Sequence, residues 1–596
     1  MKSAIVRALP MLAVVVGGLP SSTGCAAGRE PAPDPSSSVS VTGGGAGGAG
    51  GEGGAAGAGG EGGAGTGGGT TTPCPTAPTQ EILAAGVLPA DAAVFEQPPG
   101  ATSPFVFDPP SGVVLPAKWP TPRFLVHTDT LPKLVRLELR VGTQTLGYVG
   151  RPAPSPPAHA DSVVQGAWWT VSVPDVFWTS VSCQAGSGVV AWRILHALEG
   201  MQNPSGVTEG AMRLITGADP PDLTYWQIED AVGATLSIER LAVGSNPKTL
   251  IGGSTGCVGC HAVSPDGRDV IYQRPGGNNS FRLDVVRPLA SGTITSPTLT
   301  SLASTVLANA PLGTPSVSTG AWGDTTGRWV TAVSLSTFPA QQGRLALLQI
   351  DASAATMTIG PEAVPGNAAF RVALPQMAPD ASRIVYVATD GMLEGRATGE
   401  PDKTFDLWQV PVTLTKDGPP VFGTPAALNF ASNTPHGEVY PSFSSDGQLL
   451  AFMRVPQGRG AYDEETGEIF LMHASASLPP VPLSANLGPQ GPAVYSGLGL
   501  TNAWPRFGPQ TVDRPEGRYH FLLFSSRRGS PTLWEARVDG SVPHGGRPLP
   551  RIYMAAVLVT PDRQIASFPA ALMPGQRVDA GAHSGDFTKV TAVPPP

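Results

Sequence analysis

With 596 residues the chain is too long for one ordinary hydrophobic core, so two or more domains are expected. Its 75 glycines and 64 prolines, beside only 14% charged residues, exclude a mostly helical protein, because these two are the poorest helix formers. The formal charge of −8 and the lack of any long basic run exclude nucleic acid as an expected partner, since phosphate binding needs a basic surface.

Lys2 and Arg7 form a short basic region before an apolar run, residues 8–20, that is too short and too broken by Gly and Pro to span a bilayer. Small residues follow, Ser21-Ser22-Thr23-Gly24-Cys25. This start resembles the bacterial lipoprotein signal. Gly24 and Cys25 match it, whereas Ser22 departs from the usual leucine. The resemblance implies a signal segment over 1–25, lipidation of Cys25, and membrane attachment by the lipid anchor only; ordinary secretion is the alternative. Either route delivers the protein to an oxidising compartment. The expected location is the cell envelope, periplasmic or on the outer membrane. Ala26, where inner-membrane retention typically uses Asp, favours the outer membrane. Residues 26–84 read as a tether. From Gly43 to Thr72 there is no large apolar side chain to bury, so this stretch is expected to stay disordered.

Strand patterns begin at about residue 85. Leu134 to Val141 alternates strictly, with Val135, Leu137, Leu139 and Val141 on one face and Arg136, Glu138 and Arg140 on the other. Residues 124–127, 168–173, 189–195 and 212–216 read similarly. Short strands with turn signals predict a β-sandwich over 85–215, immunoglobulin-like in general shape. Cys74 and Cys183 are candidates for a disulfide that ties the tether to it.

Residues 216–596 repeat. His261 to Tyr272, Pro375 to Tyr386 and Pro441 to Phe452 each carry a short apolar lead, a Pro-Asp or Ser-Asp turn, and an apolar strand. Degenerate copies start at Ala321, Pro505 and Val557. A later strand closes most units, at 281–286, 344–350, 406–412, 468–473 and 532–539. Several strands per unit at a near-constant period, without helices, describe propeller blades. The motif resembles the TolB-type repeat, Pro-x-x-Ser-Pro-Asp-Gly, and six copies predict six blades. Residues 225–229 and 236–243, which precede the first copy, are positioned to close the ring with the last. The expected fold class is therefore all-β, a β-sandwich followed by a TolB-like β-propeller. Asp266, Asp380 and Asp446 recur with the repeat, which marks them as hairpin-turn residues, not catalysts.

The chemistry lies in Cys257-Val258-Gly259-Cys260-His261. CxxCH is the signature of covalent haem c attachment: two thiols three positions apart reach the two vinyl groups, and the imidazole becomes the proximal iron ligand. Cys257, Cys260 and His261 are the expected cofactor site. A disulfide between the two cysteines, a zinc site or a relic of the fold are the competing readings, and zinc lacks a fourth ligand at close spacing. His436, five residues before Pro441, and Met377, in an inner-strand start, are the candidate distal ligands. Gly252 to Gly256 matches Gly-x-Ser-x-Gly, but that nucleophile elbow works only on a strand-to-helix turn of an α/β sheet. No catalytic constellation is recognisable. The expected role is electron transfer or redox sensing with a redox partner protein. The alternative is a non-catalytic scaffold for envelope protein or glycan partners.

Overall fold

The computed structural model describes residues 74–75, 81–154, 166–220, 222–229, 235–252, 259–275, 281–288, 294–295, 312–323, 327–335, 343–351, 357–390, 404–416, 418–457, 464–488, 500–528, 550–577 and 580–588. The signal segment, Cys25, Cys257 and the predicted strand at 532–539 lie outside them. Among the described residues no helix is long and apolar enough to cross a membrane.

The predicted sandwich is two sheets. Phe105–Asp108, Phe124–Thr128, Ala167–Val171 and Ala153–Pro154 form one. The other runs in the spatial order Ile82–Leu83, Gln144–Gly150, Leu134–Val141, Val189–Ala197, Gly206–Ile215 and Val113–Pro116. Its two outer pairings are parallel, which departs from the antiparallel immunoglobulin arrangement expected from the strand pattern. Ile82 and Leu83, within the range expected as tether, belong to this sheet. The helix Asp175–Ala185 was not expected among strands, although its apolar residues Phe177, Trp178 and Val181 follow a helical spacing and are buried. Trp178 Nε1 donates to the Trp119 carbonyl at 2.7 Å, and Cys183 on this helix is disulfide-bonded to Cys74.

Among the described residues six further sheets, each with four strands in line, make a six-bladed β-propeller. The inner strands of five blades are Gly259–Val263, Leu312–Ser316, Arg371–Met377, His436–Phe443 and Ala503–Arg514. The remaining blade takes its inner strand from the end of the chain: Ala580–Thr588 pairs with Asp222–Glu229, which continues to Thr235–Leu241 and Lys248–Ile251. The ring is thus closed by pairing the two ends of the propeller, as expected for residues 225–243.

Two repeat copies were misplaced by the pattern. In the third blade the inner strand is Leu312–Ser316, and the segment from Ala321 feeds the second strand, Gly327–Ser334. The copy from Val557 spans the hairpin of the third and fourth strands in the last blade, Arg551–Val559 and Ile565–Ser567. The reason is shared turn chemistry. Ser264 Oγ donates to Asp266 Oδ1 at 2.5 Å and Ser444 Oγ to Asp446 Oδ1 at 2.6 Å; Thr560 Oγ1 donates to Asp562 Oδ1 at 2.5 Å in the outer hairpin. The same Asx-type turn serves both places.

The sandwich and the propeller share one core. Leu137, Trp169 and Trp192 of the sandwich belong to the same buried cluster as Tyr225, Phe521, Ile552 and Phe587 of the propeller. The long inner strand of the sixth blade reaches across at its hairpin: Glu516 pairs with Arg213 at 3.1 Å, Gln510 accepts from the Asp219 amide at 3.0 Å, and Arg514 Nη2 bonds the Thr216 carbonyl. Asp108 Oδ1 accepts from the Leu572 amide at 2.8 Å.

Candidate functional site

Every inner strand carries one residue in the left-handed region: Cys260 (φ 31°), Thr314 (45°), Leu374 (45°), Tyr440 (53°), Trp504 (57°) and Ser584 (48°). Each sits where the pairing register slips, so each is a β-bulge at the same height in its blade. The next residue is Pro315, Pro375, Pro441 or Pro505 in four blades, Gly585 in the closing strand, and His261 in the CxxCH blade. Proline suits a bulge because its missing N–H removes a donor that the ladder does not satisfy there. The six bulges meet around an opening of about 20 Å³, room for roughly one water. The rings of Tyr440 and Trp504, 3.9 Å between centroids, close much of it. This is the waist of the channel.

A left-handed conformation costs a non-glycine residue about 1–2 kcal/mol, whereas glycine in a strand interior costs about 0.5–1 kcal/mol. Thr314→Gly is therefore expected to leave the urea midpoint unchanged or raise it slightly. A clear fall would show that the threonine side chain, not the bulge, holds the waist.

His261 takes the proline position at the waist, as the repeat frame predicts, and it is only 4% exposed. Its Nε2 lies 3.2 Å from the Thr224 carbonyl of the neighbouring blade. Its Nδ1 is buried with no hydrogen-bond partner among the described residues. Burial, the largest influence, pushes its pKa below the usual imidazole value, against the opposing pull of Asp586. The ring is therefore neutral at neutral pH, the form that ligates metals. Asp586 Oδ2 also accepts from the Val263 amide at 3.1 Å. Arg506 reaches the same place and donates to the Pro441 carbonyl at 3.3 Å.

Neither Arg506 nor Asp586 was singled out in the sequence, nor were the waist aromatics. The repeated X-Pro pairs, Thr314-Pro315, Leu374-Pro375, Tyr440-Pro441 and Trp504-Pro505, are the signal that locates the waist. Asp586 carries no repeat signal, because its strand is separated from its blade by most of the propeller.

The distal-ligand candidates separate. His436 opens the fifth inner strand, on the same rim as the CxxCH segment, and is exposed. It lies four residues before Tyr440, on the order of 13 Å of extended chain above the waist. Met377 lies three residues past Leu374, on the other side of the waist. It is 1% exposed and packed with Trp329 and Ile384 between blades, so it does not face a group bound on the CxxCH rim. Trp504 lines the waist, while Trp322 packs between blades.

A haem on this site can be tested against the residues present. The donor chemistry fits in part: the imidazole is neutral and one nitrogen is anchored to a backbone carbonyl, the usual outer-shell arrangement of a ligating histidine, while the other nitrogen is buried. The nitrogen without a partner among the described residues is Nδ1, so presenting Nε2 requires the buried ring to turn over and give up the Thr224 bond. That costs roughly 1 kcal/mol, small beside covalent attachment and an axial bond. The waist itself has no room for a macrocycle, and Cys257 lies outside the described residues. Among the described residues no cluster of three or more His, Cys, Asp or Glu is placed to hold a metal ion.

No family model matches the chain, and no curated protein matches it. Among solved structures the chain is similar to TolB from Acinetobacter baumannii, at 13% identity and a TM-score of 0.34, covering 67% of this chain and 79% of that one. It is also similar to the periplasmic gluconolactonase PpgL of Pseudomonas aeruginosa, at 12% identity and a TM-score of 0.30, covering 62% of this chain and 99% of that one. A putative 6-phosphogluconolactonase from Bacteroides uniformis matches at 11% identity and a TM-score of 0.28, covering 62% and 100%. No functional residue is carried over from any of them.

Proposed function

We propose that this chain is an exported, lipid-anchored envelope protein that holds one c-type haem at the rim of its propeller channel and serves electron transfer or redox sensing. What supports the reading is the place of His261. In the blade that follows the CxxC segment, a neutral and half-satisfied imidazole stands where four other blades have proline. Cys257 and Cys260 would attach the group and His261 would bind its iron. When bound, the haem supplies a one-electron couple. The protein's part is to fix the attachment point: the Cys260 bulge and the Tyr440–Trp504 pair close the channel directly behind it.

The test is a haem stain of the denatured protein after export in a host with cytochrome c maturation. The expected result is a covalent haem band that Cys257→Ala, Cys260→Ala and the double variant each remove or reduce to background. An exported, folded and colourless wild type would overturn the proposal and leave the non-catalytic binding module as the reading of choice.

A further inference from the structure

On the other side of the waist the channel widens to a chamber of about 380 Å³, lined by the inner strands and the turns that end them. Its wall carries three charged residues, Asp446, Arg506 and Asp586. Asp446 is already matched by Arg518 at 3.1 Å. Arg506 and Asp586 stand opposite in sign and unmatched: among the described residues neither makes an ion pair, with the other or with a third group. They are near enough to act on each other. Burial pulls Arg506 below the usual guanidinium value, and Asp586 is the largest opposing influence. Arginine keeps its charge in such a place.

Backbone bonds fix each of the two and leave part of it open. Nη1 of Arg506 donates to the Pro441 and Pro505 carbonyls, at 3.3 and 3.5 Å. Its Nε and Nη2 have no partner among the described residues, and neither is sealed from solvent. That edge of a guanidinium carries two parallel N–H donors, the fork that grips a carboxylate. The Asp586 oxygens accept one amide each, from Val263 at 3.1 Å and from Phe587 at 3.0 Å. Each oxygen keeps a second lone pair, so the carboxylate can still accept from an ammonium group.

An anion drawn to Arg506 meets Asp586, and a cation drawn to Asp586 meets Arg506. A molecule that carries both charges satisfies both residues at once. Beside them the wall is apolar, with Met377, Phe443, Phe507 and Phe587. The volume sits at the low end of the roughly 300–1,000 Å³ usual for small-molecule sites, which suits an amino acid and excludes a long peptide.

We infer that this chamber binds a small zwitterion, an α-amino acid with an apolar side chain, its carboxylate on Arg506 and its ammonium group on Asp586. His261 lines the chamber too, so the site borders the proposed haem ligand, but the inference goes beyond the haem reading and uses none of its residues.

The probes are leucine, methionine, phenylalanine and valine. Two analogues of leucine are the controls: isocaproate, which lacks the amine, and isoamylamine, which lacks the carboxylate. Each is titrated up to ~10 mM into the full exported protein by calorimetry, a range that detects millimolar affinity. At least one amino acid is expected to bind. Leucine should bind at least about tenfold more tightly than either analogue, the factor that goes with one hydrogen bond to a charged group. Asp586→Asn should weaken leucine by a similar factor and abolish the preference for leucine over isocaproate, because the charge that repels a bare carboxylate is gone. Melting temperature and near-UV circular dichroism check that this variant folds. If it does not, the wild-type comparison of leucine with its two analogues decides alone. Haem is stained on the same samples. A colourless protein that prefers leucine supports this inference and sinks only the haem reading, whereas a stained protein that binds no amino acid sinks only this one. Equal binding of leucine and either analogue, or a folded Asp586→Asn variant that keeps the full preference, would overturn the inference as well.

Discussion

A chain ending at residue 577 is expected not to fold its propeller. Ala580–Thr588 pairs at seven positions with Asp222–Glu229 and supplies the inner strand of the first blade. Without it, the backbone of 222–229 turns an unpaired edge toward the channel. Each backbone bond lost there removes about 1 kcal/mol, and groups left buried without partners cost more. Phe587, 7% exposed in the core shared with the sandwich, leaves as well, and the burial of one such ring is worth roughly 1.5–3 kcal/mol. Together these approach the roughly 5–15 kcal/mol that typically holds a domain together. Near-UV circular dichroism and protease resistance of the truncated chain are the readouts, with a 578–596 peptide added in trans as a rescue. A truncated chain that unfolds cooperatively at the wild-type midpoint would show that the ring does not depend on this closure.

The second large effect is expected at Arg454. Glu438 is fully buried, with Arg454 Nε at 3.1 Å and Thr434 Oγ1 at 2.6 Å from its Oε1. Its Oε2 has no partner among the described residues. Burial outweighs both contacts and raises the carboxyl to about 7. Arg454 is held over Phe470, 4.5 Å from the ring centre, and donates to the Phe430 carbonyl at 2.9 Å. Removing one partner of a buried pair strands the other, typically at about 3–5 kcal/mol. Arg454→Met should therefore be destabilised by that order at pH 8.

The sign of the pH dependence follows from the raised pKa. The folded state holds the Glu438 proton more tightly than the unfolded chain does. Its contribution is fully present below the unfolded carboxyl value, declines as pH rises, and is lost once pH passes about 7. Without Arg454 the carboxyl is held protonated to still higher pH, so the variant's defect should shrink at pH 5. Arg454→Met/Glu438→Gln should recover much of the loss at pH 8. Urea midpoints of the three variants at both pH values are the measurement. An equal defect for Arg454→Met at pH 5 and pH 8 would show that lost packing over Phe470, not the stranded carboxylate, is what matters.

Much of this architecture is readable residue by residue. Alternation in Leu134–Val141 and the Ser-x-Asp turns with Gly267 and Gly447 at φ 70° are short-range effects, set by side chains within a few positions of one another. For the same reason they mislead. The Thr560–Asp562 turn makes the same hydroxyl-to-carboxylate bond as the inner turns, and nothing within ten residues of it says that it joins outer strands. The helix Asp175–Ala185 is hard to read between strands for the opposite cause: its spacing is helical, but only three large side chains carry it. At the site, the sequence named Cys260 and His261 and placed them at an inner-strand start. It put Met377 on the same list because register, not proximity in the repeat, decides which side of the waist a residue faces.

What the sequence determined alone is a β-rich, glycine-punctuated chain with an export signal pattern, bladed repeats and a single CxxCH segment, all consequences of local backbone preference and thiol spacing. Only the tertiary structure decided the closure of the ring by residues 580–588, the fusion of sandwich and propeller into one core, and the meeting of Arg506, Asp586 and His261 below six aligned bulges. These depend on pairings between segments more than 300 residues apart, whose geometry is set by how six twisted sheets pack around a common axis.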